Sequence, residues 1–397
     1  MLSTQEIKQK DSQYIMQTYG RFPVAIVRGE GAKVYDPEGR EYIDFTSGIG
    51  VCSVGYGNKK WAESIAKQAE KLGHISNLFF TEPSVTLAER LCKKSGMSAV
   101  FFSNSGAESN EGAIKLARKY SFDKYGEGRS KIITLYQSFH GRTVTTLAAT
   151  GQDVFHTNFF PFTEGFSHVP ANDIEALKAA LSDDVCAVMM ELVQGEGGVL
   201  PLDREYVKQV RKLCNERDIL LVIDEVQTGI GRCGKLFAFM EYGIEPDVVT
   251  TAKGIAGGLP LGAVFASEKT RNVLCAGTHA TTFGANPICT AAANTVLDIL
   301  EDGVLDEVSK KGAYIREKIE AMGLGIVKGT RGLGMMIGVV VPAGEHKKLA
   351  AKLIEAGLLC ITAGADAIRF LPPLTITYEE IDRGLEIFKN VMQEAKI

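Results

Sequence analysis

Lys253 sits in "VVTTAKGIAGGLP", residues 248–260, where an apolar strand-like run introduced by Asp247 meets a loop carrying Gly254, Gly257 and Gly258. Alone, a lysine at such a place is a solvated side chain. Three other polar strand ends change its meaning. "FFSNSGAESNEGAIKLAR" reads as a strand, a small-polar turn and a helix start, so the free N–H groups after Ser105 would face an anion at the positive end of the helix. "LLVIDEVQTGIGR" drives Asp224 and Glu225 to the end of the most hydrophobic strand, where a carboxylate needs a positive or proton-donating partner. "YQSFHGRT" closes a strand with an aromatic, Phe139, and a cation, Arg142. Singly these are a capped helix, an N-cap or metal ligand, and loop packing with a surface ion pair. Converging on one sheet edge, an anion cup, a buried acid and an aromatic plate describe a site for a phosphorylated heteroaromatic aldehyde. Lysine is the residue that could bind such an aldehyde covalently, as a Schiff base.

The elements that must position these residues are legible as short apolar runs: "AVFFS" (99–103), "KIITL" (131–135), "CAVMMELV" (186–193), "ILLVIDE" (219–225), "DVVTT" (247–251) and "GAVFAS" (262–267). Helical periodicity fills the gaps, as in "ESNEGAIKLARKYSFDKY" and "REYVKQVRKLCNERD". Continuous apolar strands separated by helices imply an α/β fold with a mostly parallel sheet covered on both faces, and ligands beyond the strands' carboxyl ends. After about residue 287 the pattern becomes helix, short strands ("GIVKGTRG", "MMIGVVV", "LLCIT", "AIRFL") and a last helix from Tyr378, a smaller α+β layer. "GAKVYDPEGREYIDF", two strand-like runs around an Asp-Pro-Glu-Gly turn, is expected to join it. The expected division is a large domain over 54–287 and a small one built from 1–53 and 288–397.

Composition bounds the function. A net charge of −4 leaves no basic field for nucleic acid, and no Lys/Arg block points to an anionic membrane surface. The eight cysteines are scattered, without a CxxC pair or a His partner at metal-ligand spacing, so no metal is expected and a reducing cytoplasm is. The opening "MLSTQEIKQKDSQ" lacks the apolar core of a secretory signal, and no apolar run reaches the length of a membrane span. "GEGGVL" and "GLGMMIG" are glycine-rich but lack the strand–GxGxxG–helix context of a dinucleotide site.

Six motifs in order over residues 103–287, "SGAESNEGAIKLAR", "FHGRT", "QGEGG", "DEVQTGIGR", "TTAKGIAGGLPLGA" and "TTFGANP", resemble the class III (ω-amino acid) pyridoxal-phosphate-dependent aminotransferases of fold type I. "YGRFPVAIVRGEG", "GLGMMIG" and "IRFLPPL" extend the likeness to almost the whole chain. The resemblance implies pyridoxal 5'-phosphate as cofactor, with Lys253 as its covalent anchor and the acid/base of proton transfer, and Asp224 paired with the pyridine nitrogen. It implies that Gln227 contacts the phenolic oxygen, that Val226 and Phe139 pack on the two ring faces, and that Gly106 and Ala107 bind the phosphate through N–H groups. Thr282 would reach the phosphate in a neighbouring subunit, which implies a homodimer with shared sites.

For substrates, the resemblance implies Arg142 for the distal carboxylate in both half-reactions, Arg369 for the α-carboxylate of glutamate, and Glu196 as the partner that masks Arg369 otherwise. Tyr19 would stand near the substrate tail and Thr281 near a carboxylate from the partner chain. Ile49 occupies a position where ornithine aminotransferases typically carry a tyrosine that reads the free α-amino group, so the resemblance favours an acylated or uncharged tail. The implied reaction moves the terminal amine of N2-acetyl-L-ornithine to 2-oxoglutarate by a ping-pong mechanism in arginine biosynthesis. Ornithine, succinylornithine, succinyl-diaminopimelate and 4-aminobutyrate are the alternative donors. A glutamate-1-semialdehyde aminomutase would share Lys253 and Asp224 but tends to lack Gln227 and the second arginine. A non-enzymatic relative would be expected to have lost the lysine or the aspartate. The chain departs from the family pattern at "VGYGNKK", Leu192, Ala280 and Ala285, which bears on substrate fit rather than cofactor chemistry.

Overall fold

The structure, a computed structural model, describes residues 2–395; residue 1 and residues 396–397 of the expected small domain lie outside it. At its centre is a seven-stranded sheet in the order Ala99–Ser103, Gly262–Ala266, Val248–Thr251, Leu220–Asp224, Val185–Met190, Lys131–Leu135, Phe166–Val169. Gly262–Ala266 runs antiparallel to both neighbours and the other six strands share one direction. Val185–Met190 and Leu220–Asp224 are buried at every position, as strands covered on both faces must be.

The covering helices carry local signals of their own. Arg204–Glu216 starts where the Asp203 carboxylate accepts the N–H groups of Glu205 and Tyr206, both at 2.9 Å, and buries Tyr206, Val207, Val210 and Cys214 along one stripe. Gly106–Tyr125 is capped by Ser105, whose hydroxyl accepts the Glu108 N–H at 3.2 Å. Its Gly112 lets the helix lie against the sheet, since a Cβ there would stand 3.0 Å from Val264 Cγ2.

Three expectations are corrected. Phe166–Val169, "FSHV", is a seventh strand at the sheet edge, too short and too polar to show in the apolar pattern. The run 186–193 does not continue as one strand: it ends at Met190, Glu191 leaves the ladder, and Val193–Gln194 pairs separately with Leu200–Pro201. Toward the C-terminus a four-stranded antiparallel sheet runs Gly329–Leu333, Met336–Val340, Ala367–Phe370, Ile361–Ala363. "LLCIT" is split between sheets, because Leu358–Leu359 pairs in parallel with Glu41–Asp44 of the N-terminal hairpin. The last helix, Tyr378–Glu394, opens with a Thr377/Glu380 capping box.

Candidate active site

The carboxyl ends of the parallel strands bring the polar residues together. They line a cavity of about 470 Å3 whose wall includes Gly106, Phe139, Asp224, Gln227 and Lys253. The antiparallel strand begins at this same edge, so the turn Gly258–Leu261 completes the wall.

Lys253 follows Val248–Thr251 and takes a left-handed φ of 43°, a conformation that disfavours an L side chain by roughly 1–2 kcal/mol. Neighbouring bonds hold it there: Ser109 Oγ donates to the Thr251 carbonyl and Ser53 Oγ to the Gly254 carbonyl, each at 3.1 Å. Burial pushes the Lys253 amine down to about 8; the Glu196 carboxylate works against that shift and the Arg369 charge with it. Such an amine is still mostly protonated near neutral pH, but its unprotonated, nucleophilic fraction is far larger than that of an ordinary lysine.

Asp224 is a fixed acceptor. Its Oδ2 accepts from Asn110 Nδ2 and His140 Nδ1, both at 2.8 Å, and its Oδ1 accepts the Val226 N–H at 2.9 Å. The Thr250 hydroxyl donates to Asn110 Oδ1 at 2.7 Å, which leaves the Asn110 amide nitrogen facing Asp224. Burial opposes a charged His140, but the bond and charge of Asp224, with the charge of Glu191, outweigh it and hold the imidazole above its ordinary value. Glu225 points elsewhere, its Oε1 accepting the Phe239 N–H at 2.8 Å, and burial raises its carboxyl to about 7. Of the two acids at this strand end, only Asp224 lines the cavity.

The helix Gly106–Tyr125 aims its N-terminus at the cavity, with Ala107 beside Gly106 on the wall. Val226 packs so closely that a Cβ on Gly106 would stand 2.6 Å from its Cγ1. The Arg142 guanidinium lies 5.5 Å from the Phe139 ring and 4.0 Å from that of Phe155. Arg369, on the strand Ala367–Phe370, reaches across to the site: its Nη1 donates to Glu196 Oε1 at 2.7 Å and to Gln227 Oε1 at 3.0 Å. Burial raises the Glu196 carboxyl less than Arg369 and its other partners lower it, so it stays below its ordinary value.

Four sequence-derived residues are not on the cavity wall itself: Arg369, which bonds to Glu196 and Gln227 on it, and Thr281, Thr282 and Tyr19. Thr281 accepts from Asn104 Nδ2 at 3.0 Å at the rim, Thr282 beside it is exposed, and Tyr19 is exposed with the Arg21 guanidinium 5.4 Å from its ring. Conversely, Asn110, His140 and Glu191 line the cavity and were not singled out for chemistry. Asn110 lies four residues beyond Gly106, hence on the same helix face, and Glu191 follows an all-apolar strand as Asp224 does. Burial pushes Glu191 up to about 7, while His140 lowers it.

These residues fit pyridoxal phosphate by donor and acceptor type. The site combines a nucleophilic amine, an immobilised carboxylate, a helix N-terminus for an anion, and an apolar slot between Phe139 and Val226. Fold and site define an enzyme of the pyridoxal-phosphate-dependent transferase type. The chain matches the Aminotransferase class-III family over residues 14–392 and belongs to that family, whose members are transaminases dependent on pyridoxal phosphate. It is 51% identical to an acetylornithine aminotransferase of Haemophilus ducreyi over 99% of this chain and 100% of that protein. It is 49% identical to one of Caldanaerobacter subterraneus over 97% of this chain and 99% of that protein. Among solved structures, the ornithine aminotransferase of Toxoplasma gondii superposes with a TM-score of 0.95 at 31% identity, over 99% of this chain and 95% of that one.

Proposed function

We propose that this chain transfers the terminal amine of N2-acetyl-L-ornithine to 2-oxoglutarate, giving N-acetyl-L-glutamate 5-semialdehyde and L-glutamate, with pyridoxal phosphate in the cavity. The observation that carries the reading is the meeting of the Lys253 amine, the triply held Asp224 and the 2.7 Å Glu196–Arg369 pair around one cavity. The cofactor, when bound, supplies an aldehyde for the amine and a ring that withdraws electrons from the substrate carbon. Lys253 takes a proton from that carbon and returns it on the other side of the exchange, for which its lowered basicity suits it. Asp224 would hold the ring nitrogen, its own orientation fixed by Asn110 and His140. Gly106 and Ala107 would bind the phosphate, Phe139 and Val226 would pack on the ring, and Gln227 would contact the phenolic oxygen.

The two substrates need different cations. Arg142 takes the distal carboxylate in both half-reactions. Arg369, masked by Glu196 when the ω-amine donor is present, takes the α-carboxylate of glutamate. Ile49, exposed and apolar at its position, supports a donor whose α-amine is acylated. The names of the close relatives support the same donor. The presence of both Gln227 and Arg369 in the site speaks against an aminomutase.

Further parts of the reading are a cytoplasmic homodimer in which Thr281 and Thr282 serve the partner's site, a place for Tyr19 near the substrate tail, and a division into residues 54–287 and a small domain from 1–53 and 288–397. The parallel pairing of Glu41–Asp44 with Leu358–Leu359 supports the joining of the two ends. The reading is tested with Lys253→Ala and with four amine donors compared in single turnovers. Lys253→Ala is expected to lose both half-reactions by at least about 10^3-fold while keeping its assembly state. Acetylornithine is expected to outpace ornithine, succinyl-diaminopimelate and 4-aminobutyrate. Retained turnover in the variant, or ornithine as the fastest donor, would overturn it.

A further inference from the structure

We propose that Gln227 is a specificity-determining member of the Glu196–Arg369 device: it holds the arginine in place for the α-carboxylate and has its own amide oriented by that arginine. The inference rests on the transaminase reading above and goes beyond a contact between Gln227 and the cofactor.

One guanidinium nitrogen, Arg369 Nη1, donates to two oxygens, Glu196 Oε1 at 2.7 Å and Gln227 Oε1 at 3.0 Å. A guanidinium has donors only, so the oxygen end of the Gln227 amide must face it, which leaves the NH2 end for the Glu196 carboxylate. The backbone crowds the same amide: a Cβ on Gly195 would collide with Gln227, with Oε1 nearest and Cδ at 2.7 Å. The amide is thus confined by a buried arginine and the glycine of "QGEGG", and cannot reverse its ends without setting two NH groups against each other.

Arg369 is only 2% exposed, so an opening of the Glu196 pair would leave it without an acceptor unless one stayed behind. Gln227 Oε1 is that acceptor. When the α-carboxylate of glutamate displaces Glu196, the guanidinium keeps one bond, remains where it is, and receives the incoming carboxylate without first having to be placed. An ω-amine donor, with its carboxylate at Arg142, makes no use of this arrangement. Loss of the Gln227 oxygen is therefore felt mainly where Arg369 must recognise substrate.

The test uses the cofactor-loaded enzyme and two variants, Gln227→Met and Gln227→Glu, with the half-reactions of L-glutamate and of the ω-amine donor measured separately. Binding of glutarate, a dicarboxylate without an amine, is followed by calorimetry as a readout independent of turnover. In Gln227→Met, kcat is expected to fall in both halves through the cofactor contact, while KM rises about tenfold for glutamate alone and glutarate weakens by a similar factor. Gln227→Glu keeps the shape and adds a second carboxylate to Arg369. It is expected to weaken glutarate at least as much, which also serves should the Met variant fail to fold. Equal KM changes in the two halves with unaltered glutarate affinity would overturn the proposal. Absence of both half-reactions from the unmodified enzyme would instead overturn the transaminase reading, whatever the variants did.

Discussion

Lys253 is held where an amine is expensive to keep. Its lowering from an ordinary 10.5 to about 8 corresponds to a folding penalty of up to about 3 kcal/mol, reduced by whatever solvent reaches the open cavity. Below pH 8 the lysine is charged in folded and unfolded chains alike and the penalty is present in full. Between 8 and 10.5 only the unfolded chain keeps the proton, so stability rises with pH, and above 10.5 the penalty is gone. Cofactor-free Lys253→Met is therefore expected to be more stable than the unmodified cofactor-free chain at pH 7, by about 1–3 kcal/mol, with the gap closing toward pH 10. Urea unfolding at the two pH values checks this; a gap that is absent at pH 7 or widens with pH would count against a buried amine. Lys253 and Asp224 stood out in the sequence because polar groups at the ends of apolar strands need partners. His140 and Asn110 did not, since their roles consist of bonds to Asp224, 84 and 114 residues away in the chain.

At the scale of elements, the approach of the helix Gly106–Tyr125 to the strand end at Asp224 shapes the anion site. Val226 fills the space where a side chain on Gly106 would be. Gly106→Ala must therefore displace either Val226 or the first helical turn, at a cost of about 1–3 kcal/mol in local packing. The expected result is faster loss of pyridoxal phosphate on dialysis, read from absorbance, with far-ultraviolet circular dichroism unchanged. Cofactor retention equal to that of the unmodified protein would show that the first turn is not the phosphate site. Hydrophobic patterning located six of the seven central strands, because each carries an unbroken apolar run, buried throughout in four inner strands and partly at the edge strand Ala99–Ser103. It failed at Phe166–Val169, where Ser167 and His168 interrupt a four-residue edge strand. It failed again at Glu191, where the ladder stops although the hydrophobic run continues through Leu192 and Val193.

For the whole molecule, the described chain exposes Leu78, Phe79 and Phe80 in succession, Phe80 completely. Asn77 ties this segment to the loop of Thr281 and Thr282, its Nδ2 donating to the Thr281 carbonyl at 3.3 Å and to the Gly284 carbonyl at 2.8 Å. Apolar surface of this kind, joined to a loop at the site's rim, supports the homodimer proposed above. No helix among the described residues is long and apolar enough to cross a membrane. Phe80→Glu is expected to shift the protein toward monomers in sedimentation velocity and to lower turnover at least about tenfold, as sites that borrow partner atoms are lost. A dimeric, fully active variant would remove Phe80 from the interface.

What the sequence alone determined was the kind of chemistry and the class of fold. Strand burial leaves a periodic signature, and a lysine, an aspartate and a helix start at strand ends each advertise an unmet electrostatic need. Only the tertiary structure decided which groups meet. Glu196 and Arg369 are 173 residues apart and belong to different sheets' surroundings, and nothing in either local pattern fixes a 2.7 Å contact. The same holds for Gln227, whose amide orientation follows from a guanidinium on the strand Ala367–Phe370 and whose space is limited by the backbone of Gly195. Local sequence encodes what each segment needs, whereas the partner that satisfies it is set by how the layers pack.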